Sequence, residues 1–232
     1  MTKKYQIYGI GAALVDTEVV VTDAFLSENK IDKSLMTLVD EERQFHLLDA
    51  LKSHSHHVKR SCGGSACNSI VAASCFGLKA FYSAKVADDE DGRFFVEDLQ
   101  STGVDFHNVE PSAGVTGKCL VMVTDDAERT MNTLLGANLD LTSNEVDEPT
   151  LINSDWLYLE GYLVTDDART AVAVKAMECA KANQVKTSLS LSDPFVVQVF
   201  EDNLLKVIGD GVDLLFCNSD EARGFTNTHS TK

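Results

Sequence analysis

Short apolar runs alternate with segments of helical spacing along most of the chain, and the exceptions to that alternation matter as much as the rule. Residues 5–10 form an apolar run that ends in Gly9-Ile10-Gly11, which predicts a buried first strand. A doubly wound fold would place a helix next, yet residues 14–21 (LVDTEVVV) keep a β-like character. Asp40 is placed to cap a helix in which Phe45, Leu48 and Leu51 recur at helical spacing. Gly63-Gly64 introduces a further helix from about residue 66 to 76, with Gly77 as its C-terminal stop. A strand is predicted over residues 80–86. Asp91-Gly92 then opens a helix that Gly103 closes. Residues 118–124 and 128–134 read as two strands around the polar Asp125-Asp126 turn, a hairpin with no helix attached.

From Asp155 onward the alternation becomes regular. Strands are predicted at 156–159, 185–191 and 212–217, the last wholly inside the sheet. Helices are predicted from Asp166-Asp167 to about Ala182, from 195 to 208 without interruption, and again from Ser219. Such a rhythm predicts an α/β protein, a three-layer α/β/α arrangement around a mostly parallel sheet. The β-like stretches near 14–39 and 116–136 do not fit those layers. They are expected to pair with each other as a small β-sheet lid on a single α/β domain spanning 1–232. No internal repeat or low-complexity linker interrupts the chain.

Composition narrows the partners. The 232 residues carry 20 Lys+Arg against 36 Asp+Glu, a formal net charge of −16. That excess argues against binding a phosphate backbone, so no nucleic-acid partner is expected. A small anionic ligand is still allowed, because a few local donors can hold a phosphate. No apolar run approaches the roughly 20 residues of a membrane span, and the N-terminus lacks a signal-peptide core, so no membrane partner and a cytoplasmic location are expected. The six cysteines form no CxxC pair and are expected to be reduced, buried small hydrophobes. His54-Ser55-His56-His57 is the one metal-like cluster; with no nearby carboxylate or cysteine to complete it, it reads as a solvated helix end.

Three motifs carry candidate chemistry. Gly9-x-Gly11 begins a dinucleotide-type loop, but the third glycine and the following helix are missing. Asp16 lies just beyond the first strand, where a cleft at the carboxyl ends of parallel strands would open, and its carboxylate could accept hydrogen bonds from vicinal hydroxyls. A solvated turn residue is the alternative. In Cys62-Gly63-Gly64-Ser65-Ala66-Cys67-Asn68, paired glycines allow close backbone approach or pivoting, free helix N–H groups are expected to face the cleft, and Asn68 offers a donor and an acceptor. A tight turn before a helix would use the same letters. Asn218-x-x-Glu221 opens a helix after a strand, a pattern that also suits a capping pair.

Taken together, GIGAALVD (9–16), GGSACNS (63–69), ADDEDGRFF (87–95), LQSTGVD (99–105), TGKCLVMVTDDAERTMNTLLGAN (116–138), LEGYL (159–163) and NSDE (218–221) resemble the ribokinase/adenosine kinase (PfkB-type) family of carbohydrate and nucleoside kinases. The wording is most similar to its adenosine-kinase-like branch. The resemblance implies a ribokinase-like fold and an ATP- and magnesium-dependent transfer to the primary hydroxyl of a ribosyl substrate, adenosine first among candidates. It implies that Asp16 binds ribose hydroxyls and that Gly63, Gly64 and Asn68 hold the sugar and permit lid closure. It further implies that Arg129 approaches the transferred phosphate, Glu160 faces the sugar, Tyr162 stacks on a base, and Asn218 and Glu221 order magnesium and its waters beside ATP. The family also uses a later Asp-Thr-x-Gly-Ala-Gly-Asp segment as anion hole and general base, and no such segment occurs here. Gly209-Asp210-Gly211 matches it in letters alone, since it precedes a strand. The chain is therefore expected to be an N-terminal portion of such a kinase, its base lying beyond Lys232. The alternative is a noncatalytic family member that binds a nucleoside, sugar or partner without phosphoryl transfer.

Overall fold

The computed structural model describes residues 3–52, 58–106 and 110–228. The His54–His57 cluster lies outside the described residues, and no group of metal-ligating side chains capable of holding an ion occurs among them.

Two sheets organise the fold. The larger contains β1 (Tyr5–Ile10), β5 (Ala80–Ser83), β6 (Asp105–Phe106), β9 (Ser154–Glu160), β10 (Lys186–Ser190) and β11 (Leu214–Phe216), in the order β11-β10-β9-β1-β5-β6. Every pairing in it is parallel, with Ile7 opposite both Ala80 and Trp156. Helices cover both faces. On one, Tyr8, Leu157, Leu159 and Leu189 pack with Leu151 of α5 (Glu148–Ile152), Val172 and Ala176 of α6 (Asp167–Ala182) and Leu204 of α8 (Glu201–Ile208). On the other, Ala80 and Tyr82 pack against Ile70 of α3 (Ser65–Cys75) and Phe95 and Leu99 of α4 (Glu90–Ser101). The arrangement is the ribokinase-like α/β fold, a mostly parallel central sheet with a second, small sheet.

The small sheet has the order β3-β8-β7-β2-β4, built from β2 (Leu14–Val20), β3 (Met36–Leu38), β4 (Val58–Gly63), β7 (Gly117–Val123) and β8 (Arg129–Leu134). The two β-like stretches of the sequence do pair, β2 running parallel to β7 from Leu14–Gly117 to Val20–Val123. One face of this sheet is covered by α1 (Asp23–Glu28) and α2 (Glu41–Lys52), whose Phe25, Leu26, Leu47 and Leu51 bury Val19, Leu120 and Met122. Asp40 caps α2 as expected, its carboxylate accepting from Arg43 N at 2.8 Å.

The structure corrects several sequence expectations. Phe45 is 69 % exposed, because the buried stripe of α2 runs through Gln44, Leu47 and Leu51 instead. The helix predicted over 195–208 is broken at Phe200 into α7 (Pro194–Val199) and α8. The last strand is three residues long, shorter than the 212–217 expected. The interior-type strand of the sequence is left with an uncovered edge, as its apolar pattern without a following strand leads one to expect, and Leu214 and Phe216 are exposed. Cys62, Cys67 and Cys119 are buried small hydrophobes, whereas Cys75 and Cys217 are exposed. The final helix, α9 (Ser219–Thr226), starts where expected. Among the described residues no helix is long and apolar enough to cross a membrane.

Candidate active site

The two sheets meet at Gly63-Gly64, where β4 ends and α3 begins. Asp16 sits on β2 opposite Ser61 and Cys119, and its half-buried carboxylate lies directly on Gly63. Any Cβ at Gly63 would overlap that carboxyl group, so glycine is needed there for room. Gly64 is needed for conformation as well, with φ +105° and the carbonyl of Ala12 where a side chain would begin. The Asp16 carboxylate accepts no hydrogen bond from a described residue. Burial pushes its pKa up to about 6, against the pull of Arg129 and with a smaller push from Glu18. A desolvated carboxylate with unspent acceptor sites beside a glycine turn is a natural receptor for hydroxyl donors.

Asn68 lies one turn inside α3. Its side chain is exposed, and the amide forms no hydrogen bond with a described residue. One of the α3 N–H groups expected to be free is taken by the protein. Ala66 N donates to Glu160 Oε2 at 2.8 Å, and Ser65 Oγ donates to the same oxygen at 2.6 Å. Glu160 Oε1 accepts from Ala12 N at 2.6 Å. Glu160 is thus 1 % exposed with both oxygens engaged by the protein, which corrects its expected place as a group facing the sugar. Burial raises its pKa, opposed by these three hydrogen bonds. Gly9 and Gly11 are explained without a dinucleotide: Ile70 and Tyr82 crowd the first, Ala66 and Glu160 the second.

Arg129 begins β8, is exposed, and occupies the same sheet face as Asp16 by strand register. Cys67 packs beside the hinge, its thiol held protonated by a hydrogen bond to Cys62 and by burial. Tyr162 follows β9 in a short 3-10 turn, half-buried against the core, its hydroxyl 3.5 Å from Asp193 Oδ2. Burial raises its pKa, with Asp193, Glu160 and Glu221 adding to the effect, so these carboxylates gather at the carboxyl ends of β9, β10 and β11. Asn218 and Glu221 form a capping box on α9. Asn218 Oδ1 accepts from Glu221 N at 2.8 Å; Glu221 Oε2 accepts from Asn218 N at 3.1 Å and Oε1 from Asn218 Nδ2 at 2.8 Å. Glu221 is buried and each of its oxygens accepts one bond within the cap, which leaves a second lone pair on each but offers no direct metal cage.

The sequence also undervalued two groups. Asn138 is 2 % exposed and grips the backbone of Ala13, Oδ1 accepting from its N at 2.7 Å and Nδ2 donating to its carbonyl at 2.9 Å. Asp89 caps α4 through Gly92 N and also accepts from Thr116 N and Oγ1, tying α4 to the start of β7. Their signal was the Gly-Ala-Asn at 136–138 and the Asp-x-x-Gly at 89–92, short polar residues beside glycines at element ends.

Comparison with known proteins agrees with this architecture. The chain is 27 % identical over 230 residues to adenosine kinase 2 of Arabidopsis thaliana, covering 96 % of this chain and 65 % of that protein. The adenosine kinase structure from Sinorhizobium meliloti superposes with a TM-score of 0.87 at 33 % identity, covering 98 % of this chain and 69 % of that one. A probable sugar kinase from Rhizobium etli gives 0.88 at 31 % identity, covering 98 % and 68 %. The chain thus spans about two thirds of the length of the relatives it matches. A family model matches residues 29–232, and with the two sheets and the glycine hinge between them the chain belongs to the pfkB family of carbohydrate kinases.

Proposed function

We propose that this chain carries the substrate side of an ATP- and magnesium-dependent kinase acting on the primary hydroxyl of a ribosyl compound, adenosine in the first instance. The observation that carries the reading is Asp16: a half-buried carboxylate, raised to about 6 and without hydrogen-bond donors among the described residues, seated on the glycine hinge. At neutral pH it accepts hydrogen bonds from two vicinal hydroxyls, and Asn68 adds a donor and an acceptor from the opposite wall. Gly63 and Gly64 let the small sheet close over the substrate, bringing Arg129 toward the phosphate. Tyr162 offers a ring beside the β9 end for a base. ATP supplies the phosphoryl group, and its magnesium neutralises charge on the phosphates. Glu221 is suited to orient a metal-bound water, with Asn218 holding its carboxylate in place. Expulsion of water from a closing cleft strengthens each of these contacts.

The general base is assigned to no residue of this sequence, so the 232-residue chain is expected to bind nucleoside without turning it over. The test pairs calorimetric titration of adenosine, inosine, ribose and fructose with a coupled ATP-consumption assay on the same preparation. Adenosine binding without turnover supports the reading. Turnover would show that the base has been overlooked, and preference for a bare sugar would replace the nucleoside.

A further inference from the structure

Four chain crossings join the two sheets: Gly11–Ala13 between β1 and β2, Gly64 between β4 and α3, Thr116 before β7, and Leu135-Gly136 after β8. They converge on one peptide pair. All four backbone polar atoms of Ala12 and Ala13 are held by side chains. Ala12 N donates to Glu160 Oε1 at 2.6 Å and Ala12 O accepts from Tyr82 Oη at 2.8 Å. Ala13 N and O are both held by Asn138, at 2.7 and 2.9 Å. Two of these three holders also reach two further crossings: Glu160 grips Ser65 and Ala66 just past Gly64, and Asn138 Nδ2 donates to Leu135 O at 2.7 Å. Gly117 is packed onto this knot, since a Cβ there would overlap Asn138 Nδ2 and crowd the carbonyls of Ala13 and Leu135.

A buried carboxylate costs free energy unless its charge is met by donors, and three donors meet this one. Those donors lie on two different crossings, so the burial of Glu160 is coupled to their relative placement. Ala12 and Ala13 cannot rotate without leaving several buried polar groups unpaired. Gly64, by contrast, has φ +105° and no side chain to hold it. One crossing is therefore pinned by side chains, and the other rests on a glycine conformation alone.

We propose that Glu160 and Asn138 are positioning residues that pin the pivot of the small sheet and thereby set where Asp16 stands over the cleft. Neither touches the substrate in this assignment, which rests on the kinase reading above. Asp16 follows Ala13 by three residues on a strand held by neighbours on both sides, so the angle fixed at the knot is transmitted directly to its carboxylate.

The test uses Glu160→Gln, which replaces one acceptor oxygen by a donor, and Asn138→Asp, which turns an acceptor toward two carbonyls. Spin labels at the exposed Cys75 of α3 and at Leu38→Cys on β3, in a Cys179→Ser/Cys217→Ser background, report the distance between body and small sheet. Both variants are expected to broaden the ligand-free distance distribution and to weaken adenosine binding about tenfold through a misplaced Asp16. Unchanged distributions in both variants would overturn the proposal, as would broadened distributions with unchanged affinity. If the unsubstituted chain binds no nucleoside while the distributions still broaden, the pivot stands and the kinase reading falls. Should either variant fail to fold, hydrogen exchange on the unsubstituted chain decides: Ala12, Ala13 and Ala66 amides should exchange only through global unfolding, like Leu157 in the core, and faster local opening would overturn the pinned pivot.

Discussion

Asp16 and Glu160 are acidic side chains on opposite sides of the same glycine pair, and they differ in how their oxygens are spent. Glu160 is the more deeply buried, yet three donors satisfy it. Burial raises the pKa of both, but in Glu160 those donors oppose it, whereas Asp16 retains more solvent, has no such donors among the described residues and is held up to about 6. Burial by itself therefore does not mark a binding group. Unspent acceptor capacity at a partly open position does, and the two residues should respond to mutation with opposite signs.

The largest effect should come from Glu160→Ala, which leaves two backbone N–H groups and the Ser65 hydroxyl without their acceptor. A loss of about 2–4 kcal/mol in urea denaturation is expected. A loss near zero would erase the distinction between the two carboxylates.

Asp16→Asn should move the other way. A carboxyl whose folded pKa is raised destabilises the native state when ionised, so the cost is full above about 6 and vanishes below the unfolded value near 3.8. Stability of the unsubstituted chain due to this group therefore falls as pH rises through that window. The substitution should gain about 1–2 kcal/mol at neutral pH, once partial solvent access is allowed for, and nothing at pH 3. Adenosine affinity should drop tenfold or more, about 1.4 kcal/mol, in the same protein. Denaturation curves at both pH values, set beside titration calorimetry, check the pairing of gain and loss.

Glu221→Gln extends the comparison to a carboxylate engaged by its own cap. The amide keeps one acceptor for Asn218 and loses the other, so a cost of about 1 kcal/mol is expected, read by thermal melting. Magnesium-dependent binding of an ATP analogue should weaken more than stability does; equal losses would reduce Glu221 to a cap. Asn68→Ala should be smallest in stability, within about 0.5 kcal/mol because its amide is exposed, while still weakening adenosine binding. A stability loss beyond that would give Asn68 a structural task that its exposure does not suggest.

The parallel sheet was readable because its strands are short apolar runs between strongly periodic helices, as in β9–α6–β10. The small sheet was readable through an anomaly, LVDTEVVV where a helix belonged. Its edge strand β4 was not, since VKRSCG has no alternating apolar face and owes its conformation to pairing with β2. Phe45 misled because one bulky residue outweighed the Gln44–Leu47–Leu51 stripe. At the site, Gly63-Gly64, Asp16 and Asn68 stood out locally. The knot did not, because Glu160 and Ala12 are brought together by the sheet, and one sequence records no such distant partnership.

The position of β1 at the centre of the large sheet has a consequence during synthesis. It leaves the ribosome before either partner, β5 and, much later, β9, with Ile7 opposite both Ala80 and Trp156. At about 5–20 residues per second the apolar strand waits on the order of ten seconds or more for its second edge to be made. Pairing over such a sequence separation is slow in any case, because the loop must close before its contacts reward it. The YQIYGI segment thus keeps one hydrogen-bonding edge unpaired until the strand that completes its pairing has emerged.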